Sequence, residues 1–152
     1  MKIKKLIVVM VAACMLVMSQ AAYATEVSPT AIGIGDTEAT ALPITISSAG
    51  NYYSELFLSS ASDVDWYKWV NTTGRAQRIL AFSGMLYPNS GEYRLGLKME
   101  YGSTTTSLMF TDDNMFQNFY VPAGATVYLR VDAVNFVSPT AFYNLNFFHF
   151  NV

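Results

Sequence analysis

The chain has 152 residues, 52% of them hydrophobic and 13% charged, the reverse of the balance that keeps a polypeptide disordered. This length suits one domain, and a net charge of −2 with a pI near 5.2 argues against the clustered basic surface of a nucleic-acid binder. One His and one Cys are too few for a His/Cys metal site.

The first segment reads as an address. Lys2, Lys4 and Lys5 form a positive start, Leu6 to Met18 is an uncharged apolar stretch too short to span a bilayer, and Ala22-Tyr23-Ala24 supplies small residues at a cleavage site. This layout predicts a Sec-type signal peptide over 1–24, cleaved after Ala24, and a bacterial product that is secreted and not membrane-bound. Lipidation at Cys14 after Val11-Ala12-Ala13 is the competing reading, disfavoured because Met15 to Met18 stay apolar where a solvated tether is expected. Cleavage removes three of the nine basic residues and none of the eleven acidic ones, leaving a cysteine-free chain of net charge −5.

Thr25 to Ala41 is weakly patterned and is expected to be a loosely docked lead-in, followed by a β-domain over 42–152. Alternation at period two, the mark of strands with one buried face, then recurs. It predicts strands over 42–46, 52–58, 65–70, 78–83, 93–100, 107–110, 115–121, 126–132 and 142–150. In the fifth, Tyr93, Leu95, Leu97 and Met99 share a face, with Arg94, Lys98 and Glu100 on the other. In the eighth, Val127, Leu129 and Val131 point in while Tyr128, Arg130 and Asp132 point out. Between them, Gly50-Asn51, Asn71 to Gly74, Pro88 to Gly91, Asp112-Asp113-Asn114 and Pro122-Ala123-Gly124 are turn formers. Eight or nine short strands so punctuated predict an all-β, antiparallel sandwich.

Four pieces in fixed order carry a family resemblance. They are Asp36 to Ile44, Asp63-Val64-Asp65-Trp66-Tyr67-Lys68-Trp69, Val121 to Val131 with its Pro-Ala-Gly turn, and Phe142 to Phe147. Together they resemble the bacterial pre-peptidase C-terminal domain, over roughly residues 36–148. The resemblance implies a β-sandwich of jelly-roll type and a non-catalytic accessory role, usually beside a secreted peptidase. Related modules bind substrate through exposed aromatics and hold calcium near the lead-in. This chain departs in standing without a peptidase domain, and in carrying Ala31 to Gly35 where calcium-binding members have acidic and Asn residues.

Asp36, Asp63 and Asp65 are the candidate calcium ligands, since Ca²⁺ takes six to eight oxygens, several from carboxylates. The alternative is that Asp63 and Asp65 accept backbone N–H bonds at the turn before a strand. Asp112-Asp113-Asn114 lacks EF-hand spacing and reads as a solvated turn. Trp66, Tyr128, Phe142, Phe148 and Phe150 fall on the parity opposite Tyr67, Trp69, Tyr143, Leu145 and Phe147. Trp66, Tyr128 and Phe148 are therefore candidate ligand-binding residues, unless a lead-in loop or a partner covers them. His149 lies on a Phe-rich strand with no Gly-x-Ser-x-Gly motif elsewhere, so a catalytic triad is not expected. The expected function is non-catalytic: binding an extracellular protein or polysaccharide, or assisting a secreted peptidase. The rivals are a structural subunit of a surface assembly and a small secreted hydrolase. Oligomeric state is not legible in the residues.

Overall fold

A computed structural model describes residues 34–47, 50–85 and 91–152, with Met85 described by its main chain alone. The expected leader, and the lead-in up to residue 33, lie outside the described residues. The strands, in chain order, are β1 (Leu42–Pro43), β2 (Asn51–Phe57), β3 (Val64–Val70), β4 (Gln77–Met85), β5 (Glu92–Tyr101), β6 (Thr104–Thr105), β7 (Met109–Phe110), β8 (Met115–Val121), β9 (Thr126–Asn135) and β10 (Phe142–Asn151). The tenth element, one more than the alternation predicts, is β6. It pairs Thr104 and Thr105 back onto Tyr101 and Glu100, and two residues are too few to show a period.

The chain forms two sheets. Six strands run in the order β1-β3-β9-β5-β6, with β7 also on β5, and four run in the order β2-β10-β4-β8. All pairings are antiparallel except β1 on β3. Each long strand lies in the opposite sheet from the long strand before it, so β2, β3, β4, β5, β8, β9 and β10 alternate between layers. The alternating residues then have one inward face each, and the two inward faces make the core of a β-sandwich.

Leu95 and Leu97 of β5, Val127, Leu129 and Val131 of β9, and Tyr67 and Trp69 of β3 meet Ile79 and Ala81 of β4 and Tyr143, Leu145 and Phe147 of β10. Burial of each large apolar side chain here contributes about 1.5–3 kcal/mol. Trp69 packs on Phe147 at 5.1 Å between centroids, and Tyr93 on Tyr143 at 5.6 Å, joining the layers. A polar chain crosses the same core. Tyr143 donates its hydroxyl to Asp65, so the 2.7 Å contact between Tyr67 and Tyr143 hydroxyls must have Tyr67 as donor. Two residues of β3 in one sheet and one of β10 in the other are thereby tied at a buried point.

Two asparagines set the loops. Asn71 Nδ2 donates to the carbonyls of Arg75 and Pro122, both at 2.9 Å, while its Oδ1 accepts from Thr73 Oγ1 at 2.7 Å. Asn114, at φ 54°, accepts from Leu95 N–H at 2.9 Å and donates to Tyr93 O at 2.8 Å, while its own carbonyl accepts from Ser83 N–H at 3.1 Å. The turn expected to be merely solvated therefore acts as a side-chain strand partner for β5 and joins it to β4. Asn tolerates this left-handed conformation better than most residues do.

The lead-in is docked more firmly than its composition suggests. Thr37 caps a short 3₁₀ turn over Glu38–Thr40 with a reciprocal capping box. Gly35 O accepts from Trp66 N–H at 2.7 Å, and Glu38 pairs with Lys98 of β5. Gly35 sits at φ 84°, and a Cβ there would lie 3.1 Å from Trp66 O, so only glycine lets the lead-in approach β3 this closely.

Candidate functional sites

Three carboxylates converge where the lead-in crosses the start of β3. Carboxylate oxygens of Asp36, Asp63 and Asp65 lie within 4.8 Å of one another. Asp36 comes from the lead-in and is exposed, Asp63 ends the β2–β3 connection, and Asp65 points inward from β3 and is only 5% exposed. Asp63 Oδ2 accepts the Ser59 N–H at 2.6 Å, so the turn-capping role expected for it is present alongside the clustering. Asp65 caps no backbone group; its partner is the Tyr143 hydroxyl. Burial pushes the Asp65 carboxyl up to about 7, opposed by the Tyr143 hydrogen bond and reinforced by the neighbouring Asp63 and Asp36 charges. Burial likewise raises the Tyr67 and Tyr143 hydroxyls, which stay protonated as donors. Three carboxylates, one of them desolvated, form an all-oxygen donor set of the kind a hard cation takes.

Trp66 and Tyr128 occupy the outer face of the six-stranded sheet, as their parity requires, but they do not form an exposed platform. Trp66 is 7% exposed and Tyr128 8%. The cross-strand register explains both. Trp66 stands opposite Arg130, whose guanidinium lies 5.7 Å from the indole centroid, and the docked lead-in runs alongside. Tyr128 stands between Lys68 and Lys98, whose ammonium groups lie 5.6 and 5.3 Å from its ring. Beyond them Arg94 forms a two-point hydrogen bond with Asp132 and lies 4.3 Å over Phe110. Asp132 also accepts from Arg130, and its bonds hold the Arg94 guanidinium above its usual pKa. Around Trp66 and Tyr128 this face is closed by its own cations and rings, while Phe110 at its β7 edge is 39% exposed.

Phe148 lies on the other outer face, that of the four-stranded sheet, in different surroundings. It stacks beside Phe82 at 6.3 Å and 13° and beside Phe150 at 6.5 Å and 6°. Phe142 meets Phe57 edge-on at 5.8 Å on the same face. Phe150 is 51% exposed, Tyr120 52% and Tyr53 48%. Sequence reading of β10 found Phe148 but missed Tyr53, Phe82 and Tyr120. The signal was there in the outward parity of β2, β4 and β8, and it becomes one surface only once the order β2-β10-β4-β8 is known.

His149 points inward at the end of β10, stacked on Trp69 at 5.4 Å, with Nδ1 3.1 Å from Gln77 Oε1. It borders a cleft of about 510 Å³ with Ile44, Ile46, Lys68, Trp69 and Thr72. Among the described residues, no carboxylate, serine or cysteine lines this cleft. Among the described residues, no helix is long and apolar enough to cross a membrane.

No protein-family model and no curated protein matches this sequence. Among solved structures the chain is similar to PliG of Aeromonas hydrophila, a periplasmic inhibitor of g-type lysozyme, at 10% identity and a TM-score of 0.44. The match covers 72% of this chain and 96% of that one.

Proposed function

We propose that this chain is an exported, non-catalytic β-sandwich module that binds an extracellular polymer through the outer face of its four-stranded sheet. The observation that carries this reading is the contrast between the two outer faces. On one, Lys68, Lys98 and Arg130 lie over Tyr128 and Trp66, which are buried, and Phe110 under Arg94 is 39% exposed; the other leaves Tyr53, Tyr120 and Phe150 about half exposed beside Phe82 and Phe148. Exposed aromatic surface of this extent marks an interaction site, because rigid rings give contact area at little ordering cost.

Supporting the reading is the resemblance to the pre-peptidase C-terminal domain, which rests on the four sequence pieces and which we extend to the winding: the alternation of successive long strands between sheets is what leads us to retain the jelly-roll description. In such a role the module would hold a polymer for a secreted peptidase. Calcium belongs to the same proposal. Asp36, Asp63 and Asp65 would hold it, tying the lead-in to β3 and neutralising a desolvated carboxylate. A structural subunit that assembles through strand edges is the weaker reading, because the β8 edge carries a register shift and Asn118 at φ 58°, a bulge of the kind that blocks edge pairing.

The test is retention of the full exported chain on insoluble collagen, chitin, cellulose and bacterial cell walls, with calcium and with EDTA. Retention on one of these is the expected result. Passage through all four, or turnover of any of them, overturns the proposal.

A further inference from the structure

We propose that the polymer is an uncharged polysaccharide, lying along the row Phe82, Phe148 and Phe150 and hydrogen-bonded by the amides beside it. This deepens the polymer-binding reading above and rests on it. Charge is segregated between the two sheets. Lys68, Arg94, Lys98 and Arg130 project from the six-stranded sheet, whereas the outward positions of the four-stranded sheet carry only Arg78 and Glu55. A polyanion would find one cation there, and a polycation one carboxylate that already accepts from the Tyr53 hydroxyl.

Phe148 lies within 13° of parallel to Phe82 and within 6° of parallel to Phe150, so neighbouring rings of the row share one orientation. Such apolar rings suit the C–H faces of sugar rings. Neutral amides lie among them. Asn144 Oδ1 accepts from Gly84 N–H at 3.1 Å and from Asn146 Nδ2 at 3.2 Å, which leaves the Asn144 NH₂ and the Asn146 carbonyl free to bond outward. The exposed Gln117 amide has no partner among the described residues. Hydroxyl groups both donate and accept, and match such amides without any ion pair. An extended peptide is usually held by backbone bonds to a sheet edge, and this face offers side chains only.

The experiment measures retention of the full chain on insoluble cellulose and chitin, on a sulfated polysaccharide resin and on collagen. Each is run at low salt and at about 1 M NaCl, where exposed ion pairs are screened. We expect retention on an uncharged glycan, unchanged by salt, and weakened roughly tenfold by each of Phe150→Ala and Tyr120→Ala. Both rings are half exposed, so their truncation leaves the melting transition cooperative, and Gln117→Ala provides a variant that touches no packing. Retention on collagen alone, or salt-sensitive retention on the sulfated resin, overturns the glycan assignment and leaves the polymer-binding reading standing. Retention indifferent to all three substitutions overturns the assignment of this face. Failure on every matrix overturns both readings. So does a concentration-dependent dimer abolished by Phe150→Ala, since a second copy would then occupy the face.

Discussion

Asp65 couples the acidic cluster to the core, because its carboxyl faces Asp36 and Asp63 while accepting from a hydroxyl inside the sandwich. Its folded pKa of about 7 lies above the ordinary 3.8, so the native state binds this proton more tightly than the unfolded chain does. The stability it contributes is complete below the unfolded value and is lost as pH rises through about 7. In EDTA, we expect the melting temperature to fall between pH 5 and about pH 7 and then to level off, by an equivalent of up to about 2.7 kcal/mol. Asp65→Asn should flatten that slope, as followed by thermal melts across the same range. Calcium reverses the sign, since it needs the ionised carboxylate. Millimolar calcium should therefore raise the melting temperature at pH 8 more than at pH 5, and leave Asp65→Asn unmoved. Equal melting curves with calcium and EDTA at pH 8 would remove the metal from the proposal. Tyr143→Phe strands both the Asp65 carboxyl and the Tyr67 hydroxyl, and should cost about 2–3 kcal/mol in denaturant unfolding.

At the scale of the element, register decides what parity leaves open. Alternation in β3 and β9 places Trp66 and Tyr128 correctly on the outer side. Their burial follows from which cations stand opposite them, and pairing of β3 with β9 and of β9 with β5 cannot be read from period two. Trp66→Ala should therefore lower stability by about 2–4 kcal/mol through lost packing, while leaving polymer retention intact below the melting temperature. The turn at Asp112-Asp113-Asn114 shows the same limit. Its residue types announce a turn, but the bonds from Asn114 to Leu95 and Tyr93 are made across nineteen and twenty-one positions of sequence. Asn114→Ala loses both bonds and places a β-carbon at φ 54° without a compensating side-chain contact. A cost of about 2–4 kcal/mol is expected in chemical unfolding, with Asn114→Gly recovering only the backbone part.

Over the whole set of described strands, the strand pattern was legible because nine segments alternate over runs that the structure reproduces to within a few residues, the exception being the two-residue β6. The clustering of Asp36 with Asp63 and Asp65 was legible through the family resemblance; the residues alone place Asp36 more than twenty positions away. The open face was half legible. Phe148 and Phe150 declare themselves on one strand, but Tyr53, Phe82 and Tyr120 join them only through sheet order. That order also separates a charged outer side from a nearly uncharged one, and the functional reading depends on this separation.

Amide chemical-shift mapping during titration of the full chain with soluble, uncharged oligosaccharides tests that dependence most directly. We expect the perturbed amides to gather on β10, β4 and β8 around Phe148, Phe82 and Tyr120, and to spare β3 and β9 around Trp66 and Tyr128. Shifts centred instead on Trp66 and Tyr128, or on the His149 cleft, would contradict it.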